Sequence, residues 1–324
     1  MGRNGDALQQ YHLVPRREQI PADNTEKRKR AGMVWYDSLE HIVREGETLA
    51  PYTGFRLGGP ARFFSEPTCQ EELAQLLQRA TENSITVRML GSGSNVLVPD
   101  EGVDGLVIHL SAADFSAIQV EGTEVTAGGG TKLVHLVATA AREGLSGLEQ
   151  LAGIPGTVGG ALRTNAGTDS EDIGQRTRGV SVMTYHGEIQ HRTREELRFS
   201  YRQSNLDEPV VLSGTFQLEV DDPREVTRRV QKLWIQKRAQ HPIADLGAGR
   251  IFKDHGGITA SNLIEQAGLN GKKVGGAELH EQHGNYIIIR DGATSSEVAQ
   301  LIESVRHEVA EQLDVELEVQ IDCW

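Results

Sequence analysis

Two stretches of this chain carry glycine at a spacing that suits phosphate recognition. Gly91-Ser92-Gly93-Ser94-Asn95 follows the apolar run Ile85 to Leu90. A strand ending in such small residues leaves its amide N–H groups open to an anion, although many ordinary turns look the same. The second stretch runs from Leu148 to Gly167 and places Gly153, Gly156, Gly159, Gly160 and Gly167, with Pro155, among apolar residues. It is too rich in breakers for a regular helix and too apolar for a solvated linker. Backbone amides in a buried loop must find partners. Glycine lets a ligand approach the main chain, and successive N–H groups form a concavity fit for a diphosphate. A tight structural crossover through a core has the same composition.

Positive charge gathers in two further places. The turn Leu246-Gly247-Ala248-Gly249-Arg250-Ile251-Phe252-Lys253-Asp254-His255 sets glycines beside cations, and the segment after Asp222-Pro223 carries Arg224, Arg228, Arg229, Lys232, Lys237 and Arg238. Lys and Arg total 33 against 46 Asp and Glu, for a formal net charge of −13. That balance disfavours a general nucleic-acid binder, so an anionic ligand needs a local basic patch. A solvated helix face accounts equally for most of the basic residues after Pro223.

The elements that must hold these loops alternate between the two periodicities. Asp37 to Val43 reads as a short helix and Tyr52 to Phe64 as a turn feeding a strand. Thr68 with Glu71 forms a capping box, with Leu73, Leu76, Leu77 and Ala80 at helical spacing behind it. Strands are expected over Ile85 to Leu90 and Val103 to Leu110, and a hairpin arm over Ile118 to Thr126. A helix follows from Lys132 to Glu143, closed by Gly144. Gly179 to Tyr185 and Glu188 to His191 alternate around His186-Gly187 as a hairpin. Val210 to Val220 reads as one strand. Asp222-Pro223 starts a helix whose apolar face is Val226, Val230, Leu233 and Trp234. The remainder is α/β: a helix from Ala260 to Gly268, strands near Val274 and over Tyr286 to Arg290, a capped helix from Thr294 to Leu313, and a last strand over Val315 to Ile321.

With 324 residues there is enough chain for two domains and a substantial core. No apolar run reaches the roughly 18 residues of a membrane span, and the N-terminus lacks the apolar core of a secretory signal. Cys69 and Cys323 are far apart and lack metal-type spacing, which fits a reducing, cytoplasmic setting. Residues 1–32, polar and with the charged run Glu26 to Arg30, read as a disordered tail, with the ordered chain starting near Met33. His280 and His283 form an H-x-x-H pair, weak evidence for a metal, and no metal site is expected.

Taken in order, the motifs resemble the UDP-N-acetylenolpyruvoylglucosamine reductase family of flavoproteins. The resemblance covers Pro51 to Ile321 and rests on Phe55-Arg56-Leu57-Gly58-Gly59-Pro60, Gly91 to Asn95, Leu151 to Gly160 with Asn165-Ala166-Gly167, Tyr201-Arg202-x-Ser204, Ala248-Gly249-x-x-Phe252-Lys253, Gly275-Gly276-Ala277-Glu278 and Glu318-Val319. The short link from Tyr201-Arg202 to Val210 is similar to the compact, second type of the family. The implied fold is α+β: an FAD-binding domain of the vanillyl-alcohol-oxidase (PCMH) type in two lobes over 33–220, then a smaller α/β substrate domain over 221–324. The implied reaction reduces UDP-N-acetylglucosamine enolpyruvate to UDP-N-acetylmuramate for peptidoglycan synthesis, with FAD as cofactor and NADPH as hydride donor. Carried over by resemblance, Gly91, Ser92, Gly93, Ser94 and Asn95 hold the FAD diphosphate. Ile154, Pro155, Gly156, Thr157, Gly159, Gly160, Asn165 and Gly167 complete the cofactor site. Tyr201, Ser204 and Lys253 contact the sugar nucleotide, and Arg202 and Glu318 are catalytic. An ungapped reading puts Gln320 at the position of Glu318. The expected partners are the sugar nucleotide and NADPH, without nucleic acid or membrane insertion, for a monomer.

One position departs from the pattern. The family's proton donor, a serine or sometimes a cysteine, directly follows the glycine of Ala248-Gly249, and here that residue is Arg250, retained among the catalytic positions. A guanidinium does not give up a proton at any useful pH, and a general acid contributes about 10²–10⁴-fold. Lys253, His255 or a water could replace the donor; otherwise the substrate differs, or the protein binds without turnover. The remaining alternatives are a different flavin oxidase of the same fold and a non-catalytic UDP-sugar-binding protein.

Overall fold

Strands Val43–Thr48, Pro60–Ser65, Val103–His109 and Val87–Leu90 lie in that order in a mixed sheet; the first two run antiparallel, and Val103–His109 runs parallel to both its neighbours. The computed structural model describes residues 34–168, 171–240 and 249–324. The expected tail over 1–32, the start at Met33 and the Leu246-Gly247-Ala248 part of the third turn lie outside the described residues. Helix Gln70–Glu82 buries Leu73, Leu76, Leu77 and Ala80 against Phe63, Leu106 and Ile108 of this sheet. Full burial of each leucine contributes roughly 1.5–3 kcal/mol.

The second lobe is a five-stranded antiparallel sheet in the order Ile189–Thr193, Thr177–Met183, Val210–Gln217, Glu124–Gly128, Ile118–Glu121. Helices Leu133–Arg142 and Val158–Arg163 share its core with Val230 and Leu233 of helix Pro223–Gln240. The last domain sets the sheet Gly249–Arg250, Tyr286–Ile289, Ala277–Leu279, Lys273–Val274 against helices Ala260–Gln266 and Ser295–Leu313. Its core also takes Phe55 and Leu97 from the first lobe. The chain end returns too, Asp322–Cys323 running parallel to Val96–Leu97.

Several local expectations are corrected. Residues 37–42 are turns leading into the Val43 strand, not a helix. Helix Gln70–Glu82 starts after Cys69, and Glu72 rather than Glu71 accepts both the Thr68 amide and hydroxyl, at 2.7 and 2.8 Å. A short helix, Val158–Arg163, does form within the glycine-rich loop, capped by Thr157 accepting from the Gly160 amide. The strand expected over Val210 to Val220 is two, because Leu218 bonds Thr123 and Glu219–Val220 pairs with Leu145–Ser146. The strand expected over Val315 to Ile321 is reduced to a bridge between Val319 and Phe252.

Candidate active site

The two glycine loops meet. A Cβ added at Gly91 would lie 2.7 Å from the Thr157 hydroxyl, and one at Gly93, whose φ is +61°, would lie 2.1 Å from the Tyr52 carbonyl. Only glycine fits either place. Gly93 and Asn95 use their carbonyls, accepting from Gly54 and Asp322, while the amides of Ser92, Gly93 and Ser94 have no acceptor among the described residues. Beside them opens a cleft of about 100 Å³ lined by Gly91, Gly129, Gly130, Thr157, Gly159, Gly160 and Arg163. A Cβ at Gly156 or Gly160 would meet only a hydroxyl, of Ser94 or Thr157, and would project into otherwise open space. Unpartnered amides beside a glycine-floored cleft fit a dinucleotide diphosphate and a flat ring system. Ile154 packs against the second-lobe core behind this cleft, and Gly167 is pressed against Glu171 and Asp172.

Arg202 sits at the tip of a hairpin whose arms, Phe199–Ser200 and Gln203–Ser204, pair antiparallel. Its φ of +55° is a left-handed conformation that a side chain rarely takes without compensation. The compensation comes from Asn165, itself at φ +46° and only 2 % exposed. The Asn165 amide donates to the Ser200 carbonyl at 2.8 Å and its oxygen accepts from the Gly174 amide at 3.1 Å. Ser204 donates its hydroxyl to the Arg163 carbonyl at 2.8 Å, fixing the other arm. Thus Asn165 and Ser204 both hold the hairpin that carries Arg202. The Arg202 Nε atom is buried with no acceptor among the described residues.

The last domain supplies the facing wall. Arg250 donates to Asp254 at 2.5 Å, and the same Asp254 oxygen accepts from the Tyr201 hydroxyl at 3.4 Å. The Asp254 amide donates back to the Tyr201 oxygen at 3.3 Å, and the second carboxylate oxygen accepts the Ala260 amide at 2.8 Å. Tyr201 and Arg250 therefore meet through Asp254, a residue whose i, i+4 spacing from Arg250 was visible in the sequence. Burial lowers the Arg250 value, but the Asp254 hydrogen bond and charge outweigh it and hold the guanidinium above its ordinary range. Lys253 pairs with Glu318 at 2.5 Å; the lysine side chain is 18 % exposed and the glutamate 71 %. Gln320 stands elsewhere: its amide donates to Ile251 at 2.7 Å, its carbonyl accepts the Asn95 side chain at 2.9 Å, and its Oε1 is buried without a partner. Of the two C-terminal positions the sequence offered, Gln320 adjoins the phosphate loop and Glu318 faces solvent beside Lys253.

Lys237, grouped by sequence with the solvated basic face, turns inward instead. Its ammonium donates to the Gln150 carbonyl, while Arg228 and Arg229 pair with Glu225, Glu149 and Asp221. Burial pushes the Lys237 ammonium down to about 8, with the Arg202 charge acting in the same direction. His280 uses its Nδ1 to accept the Gln282 and His283 amides at 3.0 and 3.2 Å, closing a turn outside this site.

Comparison with known proteins agrees with this geometry. A family profile described as "UDP-N-acetylenolpyruvoylglucosamine reductase, C-terminal domain" matches residues 241–324, and one described as "FAD binding domain" matches residues 61–193. UDP-N-acetylenolpyruvoylglucosamine reductase of Rhodopirellula baltica is 38 % identical over 288 residues, covering 89 % of this chain and 94 % of that one. The reductase of the same name from Moorella thermoacetica is 39 % identical over 287 residues, covering 88 % and 94 %. The crystal structure of UDP-N-acetylenolpyruvylglucosamine reductase (MurB) from Thermus caldophilus superposes with a TM-score of 0.74 at 36 % identity, over 87 % of this chain and 100 % of that one. The fold is the expected α+β arrangement with an FAD-binding domain followed by a smaller second domain. On its identity to these reductases over most of both chains, and on the matched C-terminal domain, this chain belongs to the UDP-N-acetylenolpyruvoylglucosamine reductase family.

Proposed function

We propose that this chain reduces UDP-N-acetylglucosamine enolpyruvate to UDP-N-acetylmuramate with NADPH, using FAD, in peptidoglycan precursor synthesis. The observation that carries the reading is Arg202: a half-buried arginine whose buried Nε has no partner among the described residues, held at a strained φ beside the last domain. Bound FAD supplies a two-electron carrier that takes hydride from NADPH and passes it to C3 of the enolpyruvyl group. The amides of Ser92, Gly93 and Ser94 would hold its diphosphate, with Gly91 and Asn95 shaping that turn. Ile154, Pro155, Gly156, Thr157, Gly159 and Gly160 would face the ring, while Asn165 and Gly167 set the backbone behind it.

Arg202 binds the substrate carboxylate, where a planar fork matches the two oxygens and stabilises the negative charge that grows toward them. Tyr201 and Lys253 flank the entry for the sugar nucleotide, Ser204 fixes the hairpin, and Glu318 steers Lys253. Arg250 cannot act as an acid; tied to Asp254, it adds a second positive charge to the pocket. We assign 33–220 to cofactor binding and 221–324 to substrate binding, in a monomeric, cytoplasmic enzyme. Purified protein given NADPH and the enolpyruvyl sugar nucleotide should consume both in equal amounts and yield a product two hydrogens heavier. The Arg250–Asp254 ion pair also favours a second reading, a sugar-nucleotide binder without turnover. Calorimetric binding with no NADPH consumption selects it.

A further inference from the structure

The bonds from Asn165 and Ser204 fix the main chain of the hairpin, not the direction of the Arg202 side chain. That side chain rests on its neighbour. The guanidinium lies over the Tyr201 ring, 5.7 Å from the centroid, within reach of a cation–π contact. Tyr201 is 45 % exposed, and an exposed side chain changes rotamer within nanoseconds unless its far end is tied.

The tie comes from the last domain. The Tyr201 phenol donates to Asp254 Oδ2 at 3.4 Å and accepts the Asp254 amide at 3.3 Å. Both hydrogen bonds are long, so they direct the ring only if Asp254 itself stands still. Its Oδ1 accepts the Ala260 amide at 2.8 Å, at the start of helix Ala260–Gln266, and its Oδ2 pairs with Arg250 at 2.5 Å. The chain just before it is equally set. Lys253 donates its amide to the Glu318 carbonyl at 2.9 Å, and the buried Asn285 side chain bonds both the amide and the carbonyl of Phe252 at 2.8 Å.

We propose that Asp254 is a positioning residue for Arg202, acting through the Tyr201 ring, and that Arg250 serves this arrangement by fixing the Asp254 carboxylate. This rests on the reductase reading above. Arg250, Asp254, Tyr201 and Arg202 then form one run of contacts from the last domain to the hairpin tip. An arginine directly after Gly249 thereby has a use that needs no exchangeable proton. With the tie intact the Arg202 guanidinium keeps one direction toward the substrate carboxylate. With it cut, Arg202 keeps its charge and loses its aim.

Rapid mixing of the FAD-loaded protein separates the two halves of the cycle. Tyr201→Phe cuts both phenol bonds and keeps the ring; Asp254→Asn leaves an oxygen for the Ala260 amide but no charge for Arg250. In each, recovery of colour on adding the enolpyruvyl substrate should slow by about 10-fold or more beyond any change in bleaching by NADPH. The double variant should recover no more slowly than the slower single one, because both changes cut one path. Calorimetry on the oxidised proteins compares two ligands, the enolpyruvyl sugar nucleotide and UDP-N-acetylglucosamine, which lacks the carboxylate. Affinity for the first should fall by about 10-fold more than affinity for the second. Unchanged recovery in either single variant, or effects that add in the double, overturns the assignment while leaving the reductase reading intact. An equal loss of affinity for the two ligands makes these residues part of the nucleotide site and overturns it too. Failure of wild type to recover overturns both.

Discussion

Arg202 differs from Arg250 and Lys253 in having a buried nitrogen that no group among the described residues satisfies. Arg250 has Asp254 at 2.5 Å and Lys253 has Glu318 at 2.5 Å. The Arg202 guanidinium lies over the Tyr201 ring, 5.7 Å from the centroid, and the buried nitrogen left without an acceptor calls for a partner that an anion would supply. Arg202→Lys keeps the charge but removes the fork, and should lower kcat by about 10²–10³-fold with little change in the NADPH half of the cycle. Steady-state assays beside single-turnover bleaching check this; an unaltered kcat removes Arg202 from the reaction. At this scale the sequence was legible in residue types but not in pairings. Arg202, Arg250 and Lys253 were each visible. The choice between Glu318 and Gln320 was not, because it depends on the bridge that sets Val319 opposite Phe252, and that register is a backbone matter.

The hairpin and the helix caps decide how firmly those residues are held. Asn165→Ala would strand the Ser200 carbonyl and the Gly174 amide, each an unmet group costing about 1–3 kcal/mol. Thermal melts should show a drop of several degrees, with kcat falling further than stability alone explains, since Arg202 loses its anchor. A melt matching wild type would mean the hairpin stands without Asn165. Asp100, on the first lobe, accepts the Ser295 and Ser296 amides at 2.8 and 2.9 Å at the start of helix Ser295–Leu313. Burial works against its ionisation, yet those amide bonds outweigh it and hold the carboxyl below its usual value. A folded-state value below the unfolded one stabilises above about pH 4 and loses that contribution as pH falls through the folded value. Asp100→Ala should therefore cost about 1 kcal/mol in urea titrations at pH 7, and the gap should narrow as the pH falls below about 4. A gap that persists in acid contradicts the assignment. Element by element, strong local signals proved legible: the helix expected to be capped at Thr294 is capped there, and Glu297 completes a capping box. The helix Val158–Arg163 was hidden, because Gly159 and Gly160 lower its propensity while the Thr157 cap and the fit of Gly159 against Gly129 favour it. Thr68 misled because it stands one residue before the N-cap, Cys69, so that its bonds go to Glu72, the third residue of the helix, rather than to Glu71.

Across the whole molecule the site is a seam. Phe55 and Leu97 enter the core of the last domain, Asp322–Cys323 adds to the Val96–Leu97 strand, and Asp254 bonds Tyr201 across the cleft. Phosphate loop, hairpin arginine and Arg250 strand come from regions more than a hundred residues apart at the extremes, so no local pattern could have joined them. Ordered motifs and their resemblance to a family supplied that joining, and the register then showed which neighbours each residue has. The central claim is that a flavin seated on Gly91 to Asn95 and Ile154 to Gly160 exchanges hydride between NADPH and a sugar nucleotide held by Arg202. The visible absorption spectrum of the purified, FAD-loaded protein tests it most directly. The account predicts flavin bands that bleach on anaerobic addition of NADPH and return on addition of the enolpyruvyl substrate; a protein that takes up no flavin, or whose bleached bands do not return, contradicts it.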